Sequence, residues 1–234
     1  MSAARREPEP VDPPYLYRDY RSTLLRAPAR PLVRIPFGPT ELSGPSPAQL
    51  DAIVASRAGG AITDLTRQHA GEPIGERIVV QGRVLDAQGR GLGGTLVEIW
   101  QANAAGRYAH DLDQHPAPLD PSFTGAGWCL TDADGGYRFV TIKPGAYPWR
   151  NHENAWRPAH IHFSVLGRAF SQRLITQMYF PGDPLLDHDP IWQSIPDAAA
   201  RARLVAAFDL ACTVPEWALG YRFDVRLGGT EATP

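Results

Sequence analysis

Cysteine is scarce: Cys129 and Cys212 are the two in 234 residues. Two cysteines make no disulfide framework, and the expectation is buried free thiols in a reducing compartment. Neither sign of charge is in excess. Charged residues make up 21% and the net charge is −2, so nothing electrostatic favours nucleic acid or an anionic membrane as a partner. No window approaches the apolar length that spans a bilayer. The opening Met-Ser-Ala-Ala-Arg-Arg-Glu-Pro-Glu-Pro has no apolar run of the kind a secretory signal needs. The expected location is therefore cytoplasmic. A Gly-rich phosphate loop and a Gly-x-Ser-x-Gly elbow are both missing, and Cys129 has no evident base partner. No internal repeat or low-complexity segment appears.

Proline (23) and glycine (22) are plentiful, and 43% apolar residues can fill a sizeable core. With regularly spaced strand patterns, these predict an all-β fold rich in turns. Residues 1–14 read as an extended tail. Residues 15–45, with Tyr15, Tyr17, Tyr20 and the Leu24-Leu25 pair, read as an arm docked on something. Ser46-Pro47 suits a helix start. Leu50, Ile53, Val54 and Arg57 continue that helix until Gly59-Gly60 stops it. Strands are expected at 77–85, 95–102, 128–131, 136–142, 159–166, 173–180 and 221–227. Asp132-Ala-Asp-Gly135 lacks the later ligands of a calcium loop and reads as a hairpin turn. Asp197 is expected to cap a helix running through Leu204, Val205, Phe208 and Ala211. The fold expected is a β-sandwich of mixed and antiparallel strands with an N-terminal arm and short helices. The arm with its short helix would cover residues 1–72 and the sandwich residues 73–234.

The chemistry concentrates in residues 143–164. His160 and His162 stand two apart, so a strand would point both imidazoles to one face, with Ile161, Phe163 and Val165 turned to the other. By itself such a pair also suits ordinary polar-face residues. Tyr147 precedes Pro148, which favours extended backbone. A second tyrosine, Tyr108, follows a predicted strand within the long loop 103–127, near Asp111, Asp113 and His115. Tyr108, Tyr147, His160 and His162 form the candidate metal set. Imidazole alone suits zinc, copper or iron. Tyrosinate is a hard anionic donor, and a phenol of pKa about 10 ionises at neutral pH only beside a strong positive charge. Ferric iron matches. Fe(III) with two phenolates and one hydroxide is neutral and resists reduction. A catechol dianion could replace the hydroxide and one tyrosinate at no net charge cost, and the displaced bases could take its two protons.

Six segments carry a specific resemblance: Pro-Ile-Gly-Glu-Arg at 73–77, Thr-Leu-Val-Glu-Ile-Trp-Gln-Ala-Asn at 95–103, Gly-Arg-Tyr at 106–108, Ala-Pro-Leu-Asp-Pro at 117–121, Thr-Ile-Lys-Pro-Gly at 141–145 and Arg-Pro-Ala-His-Ile-His at 157–162. From about Tyr20 to Leu227 the chain resembles the intradiol ring-cleavage dioxygenase family, on the iron-bearing β side of its protocatechuate-cleaving branch. That resemblance implies a non-haem Fe(III) held by Tyr108, Tyr147, His160 and His162, with Tyr147 released when substrate chelates. Arg157 would stabilise charge on the activated catecholate, a role its permanent charge and fork of donors suit. Tyr20, Trp149, Gln177 and Ile191 match positions next to the substrate. The implied reaction inserts both atoms of O2 between the hydroxyl-bearing carbons of protocatechuate, giving 3-carboxy-cis,cis-muconate in aromatic catabolism. The implied partner is a homologous α subunit in an αβ hetero-oligomer. Relatives acting on catechol or hydroxyquinol carry a larger helical N-terminal region, whereas one short helix is expected here. The reading from another class is a non-catalytic, transthyretin-like binding module, which would be colourless.

Overall fold

A computed structural model describes residues 12–30, 47–57, 59–150, 153, 156–166 and 173–234. Eleven strands form two sheets and a two-stranded ribbon among these residues. In the first sheet β1 (Arg77–Leu85) is central. It runs antiparallel to β4 (Gly136–Ile142) and parallel to β10 (Leu219–Arg222) and β11 (Val225–Arg226), and β9 (Ala207–Phe208) pairs outside β10. The second sheet is antiparallel, in the order β3 (Ala126–Leu130), β2 (Leu96–Gln101), β7 (His160–Leu166), β8 (Leu174–Tyr179). The ribbon joins β5 (Tyr147–Pro148) to β6 (Trp156–Arg157). The expected β-sandwich is present, with the predicted spans of β1 and β4 matched residue for residue.

Period-two alternation builds the core between the sheets. Ile78, Val80 and Val84 of β1 and Phe139 of β4 meet Val97 and Ile99 of β2, Ile161, Phe163 and Val165 of β7, and Met178 of β8. The alternate residues of β2 and β7 face outward. At one end of that outer face, Leu96, Trp128 and Leu166 pack with Leu50 and Val54 of helix α2 (Pro47–Ala55). The expected cap of α2, Ser46, lies outside the described residues. Gly59 and Gly60 follow with φ of +92° and +80°, a left-handed stop. At the other end of the same face lie Trp100, His162 and His160.

The arm folds on itself at helix α1 (Ser22–Arg26): Thr23 Oγ1 accepts from Tyr17 N–H at 3.0 Å and faces the carbonyl oxygens of Tyr17 and Tyr20. Tyr20 rests on Trp149, whereas Tyr15 (67%) and Leu25 (93%) are exposed. Tyr17 is half-buried. Cys129 is a buried free thiol, pushed up to about 12 mainly by burial, while Cys212 is half-buried instead of buried.

Two expectations change. Asp197 does cap a helix, but α4 (Ala198–Ala202) is five residues long. Leu204 O then accepts from Tyr179 N at 2.8 Å and Ala206 N donates to Tyr179 O at 2.9 Å. Phe208 belongs to β9. Pairing with the sheet overrides the helical spacing of Leu204, Val205, Phe208 and Ala211. The predicted last strand, 221–227, divides into β10 and β11 because Phe223 N turns to Gln81 O and Asp224 takes Arg83 N–H. Among the described residues no helix is long and apolar enough to cross a membrane.

Candidate metal centre

Cross-strand register gathers the histidines with their neighbours. His162 lies opposite Trp100 on β2 and Gln177 on β8, and His160 lies opposite Tyr179. Trp100 stacks flat on the His162 ring, centroids 4.7 Å apart and planes 2° from parallel, which fixes the ring's orientation. His160 Nδ1 is 2.8 Å from the Pro158 carbonyl. A carbonyl can only accept, so the proton sits on Nδ1 and the lone pair on Nε2. Burial first, then Arg157, holds both imidazoles neutral, with His160 well below the ordinary range and His162 down to about 3.

Two loops bring the tyrosines. Asn103 folds the first, its Oδ1 accepting from Ala105 and Arg107 N–H at 3.0 Å each and its Nδ2 donating to Pro118 O. Asp113 Oδ2 accepts the Tyr108 N–H at 2.8 Å. Tyr147 stands opposite Arg157 in the β5–β6 ribbon. Glycine lets the loops meet. A Cβ on Gly106 (φ +78°) would lie 2.1 Å from Ala146 O, and one on Gly145 would lie 2.4 Å from Ala104 O.

The four polar atoms converge. Tyr147 Oη is 3.3 Å from His160 Nε2, which is 3.3 Å from His162 Nε2, which is 3.2 Å from Tyr108 Oη. Two ligand atoms about 2.1 Å from one cation and roughly at right angles lie about 3 Å apart. Two imidazole lone pairs and two phenol oxygens at this spacing fit a single metal ion. Among the described residues, no group of three or more His, Cys, Asp or Glu side chains could hold one; the oxygen donors of this cluster are the phenols. Burial first, then Tyr147, pushes the Tyr108 pKa well above 10. Ionising it takes a strong adjacent positive charge, which again suits a hard, highly charged cation.

Arg157 borders the cluster and is 2% exposed. Its Nη1 reaches His160 Nε2 at 3.1 Å and Tyr147 Oη at 3.5 Å. Its Nη2 donates to Asp189 Oδ2 (2.7 Å), Gln177 Oε1 (2.6 Å) and Tyr179 Oη (3.1 Å). Burial opposes its charge, but Tyr179, Asp189 and Tyr147 around it raise its pKa above the ordinary value. Trp149 lies under its guanidinium at 5.1 Å, and Tyr20 lies against Trp149 at 5.1 Å. All nine residues singled out from the sequence thus fall in or beside one region, except that Ile191 is tied to it only through its backbone, its N–H donating to Asp189 Oδ1 at 2.9 Å. Sequence reasoning missed Asp189 and Tyr179. Tyr179 had a signal, standing two residues after Gln177 on the same strand face. Asp189 before Pro190 had only a helix-cap pattern.

A family model described as dioxygenase matches residues 54–229, and one described as the N terminal of the protocatechuate 3,4-dioxygenase beta subunit matches residues 4–37. The chain is 56% identical to the protocatechuate 3,4-dioxygenase beta chain of Burkholderia cepacia, over 96% of this chain and 94% of that one. The chain belongs to the intradiol ring-cleavage dioxygenase family. Members of this family use non-haem iron. This intradiol dioxygenase is also 32% identical to the alpha chain of the Burkholderia cepacia enzyme, over 68% of this chain and 76% of that one. Among solved structures it is similar to catechol 1,2-dioxygenase from Pseudomonas arvilla C-1, with a TM-score of 0.53 and 28% identity, over 74% of this chain and 59% of that one.

Proposed function

We propose that this chain is the iron-bearing β-type subunit of a protocatechuate 3,4-dioxygenase, cleaving protocatechuate with O2 to 3-carboxy-cis,cis-muconate. Tyr108, Tyr147, His160 and His162 hold a non-haem Fe(III). The observation that carries this is the convergence of two phenol oxygens and two imidazole nitrogens at neighbour distances of 3.2–3.3 Å. The 56% identity to a chain of that name supports the substrate. Iron held by these four residues would supply the positive charge needed to ionise the tyrosines and to activate a catechol substrate toward O2. The chain's own residues do the rest. Tyr147 Oη would take up a proton from a catechol hydroxyl. Arg157, whose Nη1 lies 3.5 Å from that oxygen, would stabilise the negative charge on the activated catecholate. Tyr20, Trp149, Gln177 and Ile191 line the substrate pocket. Gln177 Oε1 already accepts from Arg157 and Tyr179, so its Nε2 is the end left to donate to a ligand oxygen.

A homologous α chain completes the assembly, consistent with this chain's likeness to one. The protein works in the cytoplasm, with residues 1–72 as an arm and 73–234 as the catalytic domain. The visible spectrum of the iron-loaded protein tests the proposal: a red-brown tyrosinate-to-Fe(III) band is expected, and a colourless loaded protein overturns it. Tyr108→Phe should weaken colour and activity together. Protocatechuate should turn over faster than catechol, and the reverse order would refute the substrate assignment.

A further inference from the structure

Arg157 is held by a carboxylate that the iron chemistry itself does not require. Asp189 is completely buried (0% exposed). Its Oδ2 accepts from both Nη2 (2.7 Å) and Nε (3.2 Å) of Arg157, and its Oδ1 is fixed by the Ile191 N–H at 2.9 Å. Tyr179 Oη sits 3.1 Å from the same Nη2 and 3.3 Å from Asp189 Oδ2. Guanidinium is planar and rigid, so gripping its Nε–Nη2 edge fixes the third nitrogen as well. That nitrogen, Nη1, faces Tyr147 Oη and His160 Nε2.

We infer that Asp189, assisted by Tyr179, is a positioning residue that sets the direction of Arg157 Nη1 toward the Tyr147 oxygen. A counter-charge alone could sit anywhere around the guanidinium. A carboxylate that takes one whole edge leaves a single direction for the remaining donor. The inference rests on the reading of Arg157 and Tyr147 given under Proposed function.

Asp189→Glu separates the two roles, because it keeps the buried charge and moves the carboxylate by one methylene. In the iron-loaded protein kcat on protocatechuate should fall by roughly a hundredfold, the scale of a misplacement of about 1 Å. The tyrosinate-to-iron band should move to longer wavelength as the Tyr147 oxygen loses a donor. Iron content and Tm serve as controls. On an Arg157→Lys background, Asp189→Glu should add almost nothing, since the fork it aims is already gone. Tyr179→Phe leaves every charge in place and should lower kcat about tenfold, as expected for one hydrogen bond to a charged group, with a band shift of the same sign. It decides the matter if Asp189→Glu does not fold. Wild-type kcat and band position in Asp189→Glu, or in Tyr179→Phe should the former not fold, overturn the inference, as does a full independent effect on the Arg157→Lys background. A wild type lacking both band and protocatechuate turnover would instead overturn the iron reading.

Discussion

At the scale of single residues, the histidines were the most legible part of the centre. Two imidazoles at period two, with Ile161 and Phe163 between and beyond them, specify a strand with one polar and one buried face, and both of those apolar residues are fully buried. Asp189 was not legible, because nothing near it in sequence shows that a carboxylate will be enclosed against an arginine 32 positions earlier. Trp100 carries a prediction at this scale. Its ring lies flat on His162 at 4.7 Å, so it holds the imidazole edge toward the other donors. Trp100→Ala should raise the rate of iron loss to a chelator by about tenfold, the lower range for removing a ligand's support. An unchanged rate would show that the stack does not hold the ring.

At the scale of elements, the two tyrosine loops are set by close backbone approach. Gly106→Ala places a methyl 2.1 Å from the Ala146 carbonyl and demands φ of +78° from an L residue. The left-handed conformation alone costs about 1–2 kcal/mol, and relieving the contact separates the Tyr108 loop from the Tyr147 ribbon. We expect Tm to fall by several degrees, at about 2–4 °C per kcal/mol for a domain of this size, together with lower iron content. A variant that keeps both would mean the loops tolerate a wider gap. Sequence periodicity found nearly every strand but not the β5–β6 ribbon, whose two-residue strands are too short to show a period. It failed after Ala202 for the opposite reason: a helical spacing was present, and hydrogen bonds to Tyr179 from distant chain won over it.

At the scale of the whole molecule, Glu98 ties the N-terminal part to the body. On the outer face of the second sheet it accepts from Arg57 beyond α2, from Ser164 Oγ of β7 at 2.8 Å and from Arg173 at 2.5 Å. Burial raises its pKa, but the Ser164 and Arg57 hydrogen bonds and the two arginine charges outweigh it and bring the value below the ordinary 4.5. In the window below 4.5 the unfolded chain binds more protons than the folded one, so this contribution is complete at neutral pH and fades as pH falls. Glu98→Gln should therefore melt earlier than wild type at pH 7, with the gap closing below about pH 4.5. A gap independent of pH would assign the loss to packing. The overall sandwich was legible because apolar alternation is long and regular in β1, β4 and β7. The arm was legible only in part: Tyr20 docks, whereas Leu25 projects outward.

The donors also sit on the far side of the second sheet from the inter-sheet core. Ile161 and Phe163 fill that core while His160 and His162, between and beside them in the chain, turn away from it. Frame and chemistry therefore occupy opposite faces of one strand. On the proposed function, exchanging Trp149, Gln177 and Ile191 should alter substrate range without repacking the apolar layer between the two sheets, which would make this architecture a tolerant host for directed evolution.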